Sequence, residues 1–180
     1  MTPDEFLTRI LDPGLQFVAS IGGPQPTIAA RRFLLAVALQ ESGPNLEARY
    51  QNSPAAVPGP ARGWWQFEQG GGVNGVLTHP NSQALAQTAC NRLFVVPDGA
   101  ACWRAIEGHD LLATAFARLL LWTDPPPIPT TEQAAWDCYA NRLWRPGAPR
   151  RNDWTANWAT AQAAVAANPL RRGARAARRP

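Results

Sequence analysis

The stretch "RRFLLAVALQESGPN", Arg31 to Asn45, carries seven consecutive apolar residues, Phe33 to Leu39, followed by Gln40, Glu41, Ser42 and Gly43. Pro26 and Thr27 upstream supply a helix start, and Gly43 and Pro44 supply a stop. A helix that is apolar on every side is buried on all faces, so this segment is expected to be the central helix of the domain. Leu34, Val37, Ala38 and Glu41 stand three or four apart and share one face of it. The carboxylate therefore continues the core-facing stripe at the very end of the rod. Burial among apolar groups disfavours the charged form, and so does the negative end of the helix dipole. A raised pKa at Glu41 follows. In the competing arrangement Glu41 pairs with Arg49 or Arg62 across the turn and only solubilises a helix end.

The rest of the chain bounds what surrounds this helix. Its 180 residues fit one compact domain, and a composition 46% hydrophobic and 17% charged is that of a folded globular protein. The net charge of +4 is concentrated at one end, since five of the seventeen basic residues, all of them Arg, lie in "RRGARAARRP" at 171–180. Residues 1–170 then form a near-neutral body and 171–180 a basic tail. The bland reading of that tail is a solvated end; its functional reading is charge-driven contact with an anionic envelope surface, nucleic acid or a virion partner. Cys90, Cys102 and Cys138 are odd in number and lack metal-type spacing, which points to buried thiols. His79 and His109 are isolated, so no metal site and no cofactor is expected. "MTPDEFLTRI" begins acidic, without the positive and apolar regions of a secretion signal, and no apolar run approaches the length of a membrane span.

Helix signals recur along the body. Thr2, Pro3 and Glu5 form a capping box that starts a helix to about Ile10. Asp12 and Pro13 start a second one, ending at Gly22 and Gly23. Between Gly43 and Pro80 the chain is dense in Pro and Gly, which predicts a long loop with at most one short helix or a minimal hairpin. Loops of that length inside a compact domain tend to be functional. Helices are predicted again at about Asn81 to Leu93, Glu107 to Trp122, Thr130 to Trp144 behind a Thr130/Gln133 capping box, and Asp153 to Ala167. The fold class is all-α with minimal or no sheet, a buried central helix surrounded by about six others.

A Glu kept partly protonated near neutral pH is what a general acid for glycosidic-bond cleavage requires. Nineteen residues beyond Glu41 begins "PARGWWQFEQGGG", Pro60 to Gly72, and late in the chain comes "AAWDCYANRLWRPG", Ala134 to Gly147. Glu41 and Ser42, then Gly63, Trp64, Trp65, Gln66 and Phe67, then Tyr139, resemble in order and context the signature of the lysozyme-like superfamily. The likeness is to its goose-type lysozymes and lytic transglycosylases, and within them to small bacteriophage lysins. The resemblance implies cleavage of the β-1,4 bond between N-acetylmuramic acid and N-acetylglucosamine in peptidoglycan, by hydrolysis or by transglycosylation to a 1,6-anhydro product. It implies that Glu41 is the acid, Ser42 completes the Glu-Ser pair, Gln66 holds a saccharide group or the reaction's water, the Gly63 turn lets the backbone approach the sugar, and Tyr139 lines the cleft. A lysin of this kind is made in the host cytoplasm and acts at the cell wall. The family's usual Tyr-Asn pair is here interrupted, Tyr139, Ala140, Asn141.

Two further expectations concern the cleft. A second carboxylate, if one acts, is Glu68 by position, or else Asp137 beside Tyr139, each also able to pair structurally with Arg62 or Arg142. Of the eight Trp residues, Trp64 and Trp65 are candidates for a saccharide platform, because aromatic faces stack on sugar rings. Trp122, Trp136, Trp154 and Trp158 read as packing. The rival to an enzyme is a glycan-binding or virion structural protein on the same scaffold.

Overall fold

The computed structural model describes residues 1–47 and 59–170. It is mainly helical, and among the described residues the sheet is a single two-stranded hairpin. Thr2 caps α1 (Pro3–Phe6) through the capping box that the sequence announces. The chain then does not break. A π turn over Leu7–Leu11 leads directly into α2 (Asp12–Ser20), and Pro13 sits in the first turn of α2. The amide of Asp12 reaches back five residues to the Leu7 carbonyl, so the missing N–H of Pro13 is absorbed without ending the rod.

Thr27 caps α3 (Ile28–Ser42), in which every residue from Phe33 to Gln40 is buried. Gly43 ends it at φ +82°, a left-handed conformation that glycine adopts without strain. Two contacts orient α3. The Arg31 guanidinium grips Asp12 of α2 bidentately, at 2.7 and 2.8 Å. Along its other side lies α9 (Arg151–Ala167), which presents Trp154, Trp158, Ala161 and Val165 to the core. The central helix is thus enclosed as its apolar run requires.

Downstream the predicted loop contains β1 (Ala61–Arg62) and β2 (Phe67–Glu68), paired antiparallel with Ala61 opposite Glu68. A π turn over Gln69–Val73 and α4 (Asn74–Thr78) follow. Then come α5 (Gln83–Arg92), α6 (Gly99–Ile106), α7 (Asp110–Thr123) and α8 (Glu132–Asp137), with a third π turn over Cys138–Leu143. Helix α6 has no counterpart in the sequence reading; its start is fixed by Asp98, whose carboxylate accepts from the amides of Ala100 and Ala101. The cap of α8 is Thr131, which accepts from Ala134, and not Thr130; Gln133 turns its amide to Asp137 instead of closing a box. The three cysteines are buried thiols, with Cys90 and Cys102 in contact at 3.4 Å between sulfurs. Among the described residues no helix is long and apolar enough to cross a membrane. The basic tail at 171–180 lies outside the described residues.

Candidate active site

Glu41 stands in the last turn of α3 at the wall of an open cleft of about 710 Å³. One wall is the hairpin lip, formed by Gln66, Phe67, Glu68, Gly71 and Gly72; the facing wall is Tyr139 and the segment from Leu143 to Ala148. The Tyr139 hydroxyl donates to Glu41 Oε1 at 2.8 Å. The aromatic ring of Tyr139 is fixed from behind by Trp154, stacked at 5.0 Å between centroids and 9° between planes. An acid at the end of the central helix and a phenol from a turn ninety-eight residues later therefore meet at one point.

Burial pushes the Glu41 carboxyl up to about 7, against the opposing pull of the Tyr139 hydrogen bond and the Arg150 charge, with the Glu68 charge adding to the rise. Of the two pairings expected as competitors, the one with Arg62 is not formed. Arg62 is engaged with Glu107 at 2.9 Å, and Arg49 lies outside the described residues. The cation nearest in effect is Arg150, whose guanidinium is divided between the Gln40 carbonyl and Asp153. Gln40 completes a clamp: its amide donates to the Arg150 carbonyl, and its Oε1 accepts from Asn157. This clamp fixes the second wall to the end of α3. Gln40 is a buried polar residue directly after the apolar run and is the signal by which the clamp could have been noticed.

Linkage gives a first prediction. Glu41 titrates at about 7 in the folded state against an ordinary value of 4.5 in the unfolded chain. The folded state therefore holds the extra proton between those values, and the associated stability is full below about pH 4.5 and lost as pH rises through 7. The amide introduced by E41Q does not titrate. Thermal melts of the two proteins should diverge across that window, with the variant gaining about 2 kcal/mol on the wild type by pH 8, a figure reduced for the partial openness of the cleft.

Tyr139 supplies a second. Its hydrogen bond favours the carboxylate, so Tyr139→Phe should move the Glu41 titration upward by on the order of one pH unit. Wherever an activity depends on the protonated acid, the alkaline limb of its pH profile should move by the same amount.

Several expected site residues have other duties. Trp64 and Trp65 form no platform: they are 3% and 0% exposed. The indole of Trp64 donates to Asp110 and that of Trp65 to the Leu34 carbonyl at 2.8 Å, while both rings pack edge-on against Phe6. They are the plug that holds the lip to the core, because a flat amphipathic ring with one N–H suits a buried socket with one acceptor. Ser42 is buried too, and its hydroxyl donates to the Trp64 carbonyl at 2.7 Å; it fastens the lip to the acid's helix without lining the cleft. Gly63 is required at φ +71°, and a Cβ there would meet Ile106 at 2.7 Å. The close approach it permits is to α6, not to a ligand.

Gln66, Phe67 and Glu68 do line the cleft, with Phe67 nearly covered by its neighbours and Glu68 exposed. Gln66 adopts a left-handed backbone at φ +48° and ties its side-chain amide to the Gly63 carbonyl at 2.9 Å. Asp137 is not among the cleft residues; it accepts from Gln133 and Asn141 along its own helix, and Asn141 is thereby turned away as well. Arg142 pairs with Asp124 instead of either candidate carboxylate. The aromatic that the sequence reading missed is Trp144, which lines the cleft between Phe33 and Phe67 and donates to the Trp65 carbonyl at 3.1 Å. Of the expected packing tryptophans, Trp154 and Trp158 are buried, while Trp122 is 43% exposed beside Arg118. Among the described residues no group of three or more His, Cys, Asp or Glu side chains could hold a metal ion.

No family model matches the chain, and no curated protein or solved structure matches it.

Proposed function

We propose that the protein is a muramidase that cleaves the β-1,4 bond between N-acetylmuramic acid and N-acetylglucosamine in peptidoglycan, with Glu41 as general acid. The observation that carries the reading is the Glu41 carboxyl itself, pushed up to about 7 by burial at the wall of an open cleft and held by the Tyr139 hydroxyl. Such a group can keep a proton at neutral pH and pass it to a leaving oxygen. An open cleft of this size would take a stretch of glycan strand, and the half-buried Trp144 and Gln66 on its walls offer the aromatic and amide contacts that a saccharide uses. A phage lysin, made in the host cytoplasm and acting at the cell wall, is the setting this reading favours.

Two routes are open after proton transfer. In hydrolysis the second carboxylate would be Glu68, which is exposed on the lip and acts electrostatically on Glu41. In the transglycosylase route Glu41, once ionised, takes the proton of the muramic acid's 6-hydroxyl, and no second carboxylate is needed. Mass spectrometry of material released from purified sacculi tests the proposal and separates the routes. New reducing ends mark hydrolysis and 1,6-anhydro ends mark transglycosylation. Saturable binding to sacculi with neither product would instead identify a glycan-binding protein on this scaffold.

A further inference from the structure

Arg145 is the cleft residue whose placement the proposed reaction leaves unused. It follows Trp144 on the second wall, and the amides of both residues donate to the Tyr139 carbonyl at 3.1 Å. The same tyrosine thus holds Glu41 through its hydroxyl and positions Arg145 through its backbone. Arg145 is held at φ +45°, a left-handed conformation that an Arg rarely adopts, and Gln66 on the opposite lip is the other non-glycine cleft residue in that state. Backbone strain of this kind persists where the surroundings enforce it and gathers at functional sites.

The side chain differs from its neighbours in having nothing to hold. On this side of the molecule Arg142 grips Asp124, Arg150 is shared between Asp153 and Gln40, and Arg151 grips Glu132. The Arg145 guanidinium makes no ion pair or hydrogen bond with a described residue and is exposed at the cleft wall. Arg150 and Glu68 are the charges that act on Glu41.

Resting on the muramidase reading, we propose that Arg145 is an anion-binding residue of the cleft that takes a carboxylate of the substrate strand, its planar fork matching the carboxylate's two oxygens. Such a carboxylate has two sources in peptidoglycan, the lactyl group of unsubstituted N-acetylmuramic acid and the stem peptide. Chitin-type oligomers have neither. Arg145 therefore selects for the muramic acid polymer over neutral glycans of the same backbone.

The test is calorimetric binding in the E41Q background, which removes turnover, with Arg145 intact or changed to Ala or Lys. Three probes are used: tetra-N-acetylchitotetraose, a peptide-free tetrasaccharide of alternating N-acetylglucosamine and N-acetylmuramic acid, and the same tetrasaccharide bearing stem peptides. R145A should weaken the charged probe by about tenfold, with partial recovery in R145K, and leave chitotetraose unchanged. Loss confined to the peptide-free tetrasaccharide assigns the lactyl carboxylate; loss confined to the substituted one assigns the peptide. Binding of all three probes with no effect of R145A, or with an equal effect on chitotetraose, overturns the role of Arg145 alone. Failure of all three to bind with Arg145 intact overturns the glycan reading and this inference with it.

Discussion

Glu41→Gln should lower turnover of peptidoglycan by about 10³-fold or more, while the protein stays folded and becomes more stable above neutral pH. The two effects share one cause. A carboxyl whose ionisation is opposed by burial destabilises the folded state whenever it must be charged, and Gln removes that charge while retaining the shape and an acceptor for the Tyr139 hydroxyl. A residue kept at a cost to stability at the wall of a cleft is one that structure alone does not require. Turbidity clearing of purified cell walls gives the rate, and thermal melts from about pH 4 to 8 give the stability. A variant with undiminished clearing would remove Glu41 from the chemistry.

Trp65→Ala should destabilise the protein by about 4 kcal/mol, roughly a 10 °C fall in melting temperature for a chain of this size. The indole is fully buried, packs edge-on against Phe6 and satisfies the Leu34 carbonyl inside α3. Its removal leaves a cavity and takes from the Leu34 carbonyl the hydrogen bond it accepts beyond the helical one. Since the Trp65 carbonyl also receives the Trp144 indole, the lip and the second wall should loosen together. Trp65→Phe should cost less, because it keeps an aromatic ring in the socket and loses chiefly the N–H. Were Trp65 a saccharide platform, the Ala variant would raise KM and leave the melt untouched, which is the opposite signature.

The contrast between Glu41 and Trp65 marks where sequence reasoning reaches. Glu41 was legible because a one-dimensional pattern, an apolar run followed by a carboxylate and a helix stop, carries its own burial with it. The Thr2 and Thr27 caps and the central position of α3 were legible for the same reason, each being specified by neighbours in the chain, whereas the loop after Gly43 was legible only as a loop with a short helix or a minimal hairpin in it. The direction of Trp64 and Trp65 depends on partners thirty to sixty residues away, Leu34, Asp110 and Phe6, and no local pattern encodes it. A tryptophan suits a sugar and a core equally well. Helix α6 escaped because "GAACWRAI" is short and begins with Gly, so that only the Asp98 cap betrays it. The break expected at Asp12 and Pro13 did not occur because a π turn can accommodate a proline that an α-helix cannot. Asp137 was suggested by closeness in the chain to Tyr139, yet helical residues one or two apart point in different directions. The clamp of Gln40, Arg150 and Asn157 spans more than a hundred residues and becomes visible only when the chain is folded.

A single protonation equilibrium at the end of α3 underlies all of this chemistry. Carbon-13 NMR of the side-chain carboxyls, with the Glu41 resonance assigned by its absence in E41Q, measures that equilibrium in the intact protein. A titration midpoint for Glu41 of about 7 is predicted, moving higher in Y139F. A midpoint at the ordinary value of 4.5, unmoved by loss of the tyrosine hydroxyl, would contradict the account.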